Sequence, residues 1–346
     1  MTYEENKMRK LATIQTIKEI KPIENADKIE AARVNNWWVV VQKGSFNVND
    51  KIIYIEIDAF IPESLAPYLK QRSYKGVSGH LLKTIKLKGQ LSQGLILPIP
   101  DHLCDSEVGE DVSEQLGIIK FEEEVNNLDA AGNFPFWGRK TDQERIQNCY
   151  DDLKNKGLLD GKWVLEEKLD GTSCSVGYNE GEIVICSRNL SLKWESENVY
   201  TRTIKNTGIH LVLKEYGENL MISGEIIGHG VQGNPYKLKE NVWYIFDIFD
   251  VDKQSYLTYE KRNKVIDNLN NLLYVFGKQL KSVPTITTFD SLEAYPCETL
   301  LEIANGESLI GLAKVPREGY VAKRADNGNI SFKAISNQYL LKQKLG

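Results

Sequence analysis

Lys168-Leu169-Asp170-Gly171 is the stretch of this chain whose residue types and spacing could do chemistry. A lysine amine has an ordinary pKa of about 10.4, so it is a nucleophile near neutral pH only where burial or a neighbouring cation pulls that value down. Asp170, two residues on, faces the same side of an extended strand, which suits a carboxylate that holds a metal ion beside the amine. Gly171 has no Cβ, so backbone and a phosphate can approach closely there. Alone, the four residues are as easily an ordinary Lys-Asp pair on a surface hairpin. Further elements downstream, in the right order, reverse that reading.

The lysine lies between the strand-like runs Trp163-Val164-Leu165 and Ile183-Val184-Ile185-Cys186, with turn residues Asn179 and Gly181, which predicts a hairpin with Lys168 at its mouth. Ahead of it, Thr141-Asp142-Gln143-Glu144 reads as a capping box, and Ile146, Tyr150 and Leu153 recur at helical spacing until Gly157. Lys140 and Arg145 then fall at the positive end of that helix, a place for a polyphosphate tail. Behind the lysine, the pattern predicts a helix from Glu195 to Tyr216 and strands from Leu220 to Gly228 and Val242 to Phe249. Helices are expected from Thr258 to Leu273 and from Asp290 to Ala304, then strands from Gly319 to Lys323 and Asn329 to Ile335.

The first hundred residues read instead as short strands and turns with no long helical period, which suggests a small barrel of the OB type, a fold that often binds oligonucleotides. Trp37, Trp38, Tyr68 and Tyr74 offer stacking faces there, although core duty is the commoner fate of such residues. Between Ser64 and Pro100 there is no Asp or Glu, while Lys70, Arg72, Lys75, Lys83, Lys86 and Lys88 fall inside that run. In a chain of net charge −5 this is a local candidate for a phosphate-backbone surface, or else a solvated basic face. Lys83, Lys86 and Lys88 are the residues expected to touch such a backbone. The expected domains are 1–105 (the barrel), 106–132 (an acid-rich connector) and 133–346.

Composition narrows the remaining classes. With 346 residues, 41% hydrophobic and 26% charged, the chain has room for two globular domains. No apolar run approaches a membrane span and the N-terminus lacks the apolar core of a signal peptide, so an intracellular protein with no membrane partner is expected. Five scattered cysteines without a C-x-x-C pair and only four histidines argue against a disulfide framework, a zinc site and a Cys-His nucleophile.

In order, the chain carries Lys168-Leu-Asp170-Gly171, Ser187-Arg188-Asn189, Gly224-Glu225-Ile-Ile-Gly228, Tyr244-Ile-Phe246-Asp247-Ile248, Glu318-Gly319-Tyr-Val321 and Ser331-Phe-Lys333. This set resembles the ordered motifs of the covalent nucleotidyltransferases, the polynucleotide ligases and messenger-RNA capping enzymes. The layout is similar to the RNA ligase 5 group of ATP-dependent RNA ligases, in which an OB module precedes the catalytic domain. Lys86-Leu-Lys88-Gly-Gln90-Leu-Ser-Gln93-Gly94 and Lys140-Thr-Asp-Gln-Glu-Arg145-Ile-Gln147-Asn148 resemble that group's own signatures. DNA ligases and capping enzymes carry their OB domain after the last motif, and here only residues 334–346 follow it.

The resemblance implies an α+β protein: an OB-type barrel, then an ATP-grasp-like nucleotidyltransferase domain of antiparallel sheets flanked by helices. It implies a monomer that seals RNA 3′-OH and 5′-phosphate ends, in nicked duplexes, through lysyl-AMP and an adenylylated RNA 5′ end. Lys168 is then the nucleophile, with Asp170, Glu225, Glu318 and Lys333 as its catalytic partners. The three carboxylates are expected around Mg²⁺ or Mn²⁺, through its waters. Glu167, Gly171, Ser173, Arg188, Phe246, Val321, Lys323 and Arg145 are expected at the ATP, with Phe246 and Val321 walling the adenine. Ser173 stands where DNA ligases and capping enzymes usually have arginine, which favours an RNA ligase. Ser331 replaces the first lysine of a common Lys-x-Lys pair, which leaves phosphate neutralisation to Lys333 with help from Lys323, Arg145 or the metal. Two rivals remain open at this point, a GTP-dependent capping-type guanylyltransferase and a non-catalytic OB-fold RNA-binding protein.

Overall fold

The computed structural model describes residues 9–121, 127–311 and 314–342, and the chain divides into two compact units, 1–124 and 125–345. In the first unit the β-branched runs pair as antiparallel strands in the order Leu95–Leu97, Lys51–Ile55, Ala12–Pro22, Ile29–Val34 and Trp37–Gln42. Ala12–Pro22 changes partner part-way. Ala12 to Thr16 pair with Lys51–Ile55, and Ile17 to Pro22 pair with Ile29–Val34, with an irregularity between Ile17 and Glu19 of the kind that bends a strand. A second sheet of Ile119–Lys120, Ala59–Pro62, Val77–Leu81 and Arg72–Tyr74 and the hairpin of Ile85–Leu87 with Gln90–Ser92 complete a near-closed barrel of the OB type. Ile14, Ile53, Ile55, Ile61 and Leu82 fill it. Each such side chain withdrawn from water contributes about 1.5–3 kcal/mol.

Residues 106–121, expected in a connector, belong to this unit. Val112, Leu116 and Ile118 lie in its core and Ile119 pairs with Phe60. The acids between them obscure that apolar spacing in the sequence. Trp37, fully buried beside Tyr54, and Tyr74, between Phe60 and Phe121, are core residues and not stacking platforms. Trp38 is half-buried, with the Lys21 amine 3.7 Å above its ring, and Tyr68 is exposed. Lys83, Lys86 and Lys88 are all exposed, the last two on the Ile85–Ser92 hairpin.

The second unit is built on two antiparallel sheets. The larger runs Ala130–Asn133, Leu190–Leu192, Glu182–Cys186, Thr172–Asn179, Leu220–Ile227, Val242–Asp250 and Ser255–Tyr256, with Lys281–Ser282 added alongside Val242–Asp250. The smaller runs Thr285–Phe289, Trp163–Lys168, Gly319–Arg324 and Ser331–Ile335. The helices Val199–Thr207, Ile209–Tyr216 and Tyr259–Leu273 pack on the larger sheet through Ile204, Val212, Leu213, Val265 and Leu269. The helices Ile146–Asn155 and Cys297–Ile303 cover the smaller one through Tyr150, Leu300 and Trp163. This is the α+β architecture expected, with four local differences.

The Trp163–Lys168 and Glu182–Cys186 strands are not two arms of one hairpin, because they belong to different sheets and Glu182–Cys186 pairs with Thr172–Asn179. The helix after residue 140 starts at Ile146, with Arg145 as an N-cap that makes no side-chain cap bond. Residues 140–144 are not helical, Arg145 is extended, and the Lys333 N–H donates to the Glu144 carbonyl at 2.8 Å. Gly208, in the left-handed conformation at φ 73°, breaks the predicted Glu195–Tyr216 helix in two. Asp290 caps nothing helical, since that helix begins at Cys297 after Pro296. No helix among the described residues is long and apolar enough to cross a membrane.

Candidate active site

Lys168 ends its strand opposite Gly319, and Leu169 to Gly171 then carry the chain across to the larger sheet, where Ser173 stands opposite Glu225. Both glycines are there for close approach. A Cβ on Gly319 would lie 2.1 Å from the Ala334 carbonyl oxygen, and one on Gly171 would lie 2.3 Å from that of Ile226 and 2.9 Å from Glu225 Cγ. The space Gly171 leaves, expected to admit a phosphate, is therefore filled by the Glu225 strand. The Asp170 N–H donates to the Tyr236 hydroxyl at 2.7 Å, and the Tyr339 side chain hydrogen-bonds the Asp170 carboxylate. Neither tyrosine is marked by a motif.

Lys168 Nζ donates to Glu318 Oε2 at 2.8 Å. Burial pulls the amine's pKa down, but Glu318 and Glu225 push it up by more, so it stands above its ordinary value. The three carboxylates respond in kind. Burial raises Glu225 to about 8, with Lys168 opposing and Glu318 and Asp170 adding to the rise. Burial likewise raises Glu318, against Lys168, and Asp170, against its bond from Tyr339. One amine against three acids is a centre with surplus negative charge. Their oxygens are the hard donors that Mg²⁺ and Mn²⁺ take, and among the described residues no three acids, histidines or cysteines converge tightly enough to grip an ion directly. Such a donor set fits an ion held through its own waters.

A second group of cations lies at the rim. Asp142 accepts from Arg188 Nη2 at 3.0 Å through one oxygen and from Lys333 Nζ at 2.8 Å through the other. Lys333 stands opposite Val321, which stands opposite Glu166 in turn, so these share one face of the smaller sheet. Phe246, on the larger sheet, is partly exposed like Val321. Arg145 is buried at the start of the Ile146–Asn155 helix, in a parallel bridge with Lys333.

Two residues expected at the nucleotide have partners within the protein. Glu167 alternates to the opposite face from Lys168, where its Oε2 accepts the Leu309 N–H at 2.8 Å. Lys323 is 5% exposed, and its ammonium donates to Asp247 Oδ1 at 2.8 Å and to the Phe246 carbonyl, with Glu166 Oε2 at 3.4 Å. Lys323 is thus held between Asp247, the Phe246 carbonyl and Glu166. Arg262, 2% exposed, completes this staple by a two-pronged bond to Glu166 and a further bond to the Phe246 carbonyl. Motif spacing singles out neither Glu166 nor Arg262, whose partners are distant in sequence.

An OB-type barrel followed by two sheets that meet at a lysine among carboxylates defines the class, a ligase-type nucleotidyl-transfer domain behind an oligonucleotide-binding one. The RNA ligase family model matches residues 161–335 and an OB-fold domain model matches residues 11–99. Solved structures of the Naegleria gruberi RNA ligase are similar over nearly the whole chain. An apo aspartate-to-alanine mutant is 39% identical, covering 98% of this chain and 99% of that one, with a TM-score of 0.90. The form with pyrophosphate is 40% identical (98% and 100%, TM-score 0.89), as is a glutamate-to-alanine mutant with ATP and Mn (97% and 100%, TM-score 0.89). A search of curated proteins returned no significant match. The chain belongs to the RNA ligase family.

Proposed function

We propose that this RNA ligase uses ATP with Mg²⁺ or Mn²⁺ to join RNA 3′-OH and 5′-phosphate ends in nicked duplexes. One observation carries the reading: Lys168, 2.8 Å from Glu318 and in the field of Glu225 and Asp170, in a chain that resembles throughout a ligase solved with ATP and Mn. Lys168 Nζ attacks the α-phosphorus of ATP. The N–P bond forms as the bond to the bridging oxygen breaks, and pyrophosphate leaves. The ammonium must first lose one proton to become the neutral amine, and Glu318 Oε2 is the acceptor that the hydrogen bond already provides.

A divalent ion held through water by Asp170, Glu225 and Glu318 would offset their surplus charge, favour the neutral amine and screen the phosphates. Lys333 and Arg188 take up charge on the departing phosphates. Phe246 and Val321 wall the adenine. AMP then passes from the lysine to the RNA 5′-phosphate, and the 3′-OH displaces it to form the phosphodiester. Lys83, Lys86 and Lys88 hold the RNA backbone.

The test is incubation with α-labelled ATP or GTP and each metal, followed by addition of nicked RNA. A covalent adduct from ATP that is chased into sealed product is expected. An adduct from GTP alone, or an ATP adduct that no nicked RNA consumes, refutes the reading.

A further inference from the structure

We infer that Asp142 is an internal stand-in for nucleotide phosphate: it bridges Arg188 and Lys333 and yields both to the polyphosphate of ATP. The inference rests on the reading of Arg188 and Lys333 as phosphate-binding groups. A phosphate that bridges two cations does so with two oxygens, and Asp142 does the same, Oδ2 with Arg188 Nη2 at 3.0 Å and Oδ1 with Lys333 Nζ at 2.8 Å. The two cations come from elements far apart in sequence, and a carboxylate keeps them together against their mutual repulsion.

The segment that presents Asp142 is tied to its surroundings on either side of that residue, by backbone at Glu144 and by side chains at Gln143 and Lys140. Glu144 accepts the Lys333 N–H at 2.8 Å, Gln143 Nε2 reaches Asp247 Oδ2 at 3.4 Å, and Lys140 Nζ reaches Asn189 Oδ1 at 3.3 Å. The side chain can therefore swing away while the segment stays in place, and with 38% of it exposed it has water to turn into. A carboxylate left on these cations would compete with the incoming phosphates, since each fork and ammonium has only so many protons to give. Asp142 thus sets a threshold for nucleotide entry, and its charge opposes ATP until ATP replaces it.

The experiment compares wild type, Asp142→Asn and Asp142→Ala as full-length proteins, by calorimetric binding of inorganic pyrophosphate and by the ATP dependence of lysine adenylylation. Melting curves confirm that each variant is folded. Loss of the competing charge should tighten pyrophosphate and lower the half-saturating ATP concentration by roughly threefold to tenfold, the scale of two partly exposed ion pairs. The adenylylation rate at saturating ATP should not fall. Unchanged or weaker pyrophosphate binding in both variants overturns the inference, as does a higher half-saturating ATP concentration, which would make Asp142 a group that positions Arg188 and Lys333 in the loaded enzyme. Arg188→Ala and Lys333→Ala separate the two readings. If these weaken pyrophosphate and the Asp142 variants do not tighten it, only the stand-in fails; if these bind pyrophosphate like wild type, the phosphate reading beneath it fails too.

Discussion

Glu166 and Lys168 stand two residues apart on one strand, yet the clusters they enter are opposites. The Glu166 cluster balances two acids, Glu166 and Asp247, against two cations, Arg262 and Lys323. Burial raises the Glu166 carboxyl, but Lys323 and Arg262 outweigh it and hold the group below its ordinary range. The Lys168 cluster sets three acids against one amine, and Glu225 is driven up to about 8. A buried ion network with equal charge staples two sheets and asks for nothing more. One with surplus negative charge is destabilised until a cation arrives, which is how the same strand serves structure at one residue and chemistry at the next.

The sharpest break in that comparison is Lys168→Ala. Lysyl-AMP should fall to background and sealing of 5′-phosphate ends with it, while RNA supplied with its 5′ end already adenylylated is still joined measurably, because that step does not use the amine as nucleophile. Gel detection of labelled protein and of product reads both arms. Normal adduct in the variant would remove Lys168 from the chemistry. Next in size is Arg262→Met, which leaves Glu166 short of its principal partner in a buried place. Stability should drop by about 3–5 kcal/mol in denaturant unfolding. A variant as stable as wild type would show that the staple is not what joins the sheets.

A pH series sharpens the contrast. Unfolded, Glu225 has a pKa of about 4.3; folded and metal-free, it stands at about 8. Between these values the folded chain binds the proton and the unfolded chain does not, so stability from this group is full below about pH 4 and is lost as pH rises through about 8. Glu225→Gln should therefore melt at a higher temperature relative to wild type near pH 8 than near pH 5, in the presence of a chelator. Added Mn²⁺ should shrink the wild-type loss and leave the variant nearly unmoved. Parallel melting curves for the two proteins across that range would dismiss the surplus-charge account.

Much of this is legible from the residues. The β-branched runs of the barrel, the Thr258-capped helix and the strands bearing Glu225, Asp247 and Lys333 lie where periodicity puts them. What periodicity does not carry is the identity of the neighbour across a sheet or between sheets. Lys323 and Asp247 are 76 residues apart, so the lysine's commitment to the staple is invisible in the motif that contains it. Thr141-Asp142-Gln143-Glu144 has the letters of a capping box, but its Glu144 carbonyl takes the Lys333 N–H and its aspartate meets the rim cations. Gly171 suggests by its type alone a freedom toward a ligand, where the constraint comes from the strand packed behind it.

The smallest effect expected is in the barrel, where charge is again unbalanced but exposed. Lys83, Lys86 and Lys88 are solvent-facing, so water screens them and the fold does not depend on them. Replacing all three with glutamine should leave the melting temperature and lysine adenylylation unchanged, since Lys168 and the other residues proposed to act on ATP lie in the second unit. RNA binding should weaken, and the slope of log affinity against log salt should become shallower by about 0.7 to 0.9 for each phosphate no longer neutralised. Releasing two duplex phosphates would flatten it by about 1.8, enough to see in a titration from low to physiological salt. Sealing of nicked RNA should decline in step with binding and recover when the RNA concentration is raised. If the triple variant binds with the wild-type slope and seals as fast at limiting RNA, the lysines are a solvated face and the backbone is held elsewhere. If adenylylation falls instead, the barrel's surplus charge acts on the chemistry, and the division between a charged centre that needs a cation and a charged surface that needs RNA does not hold.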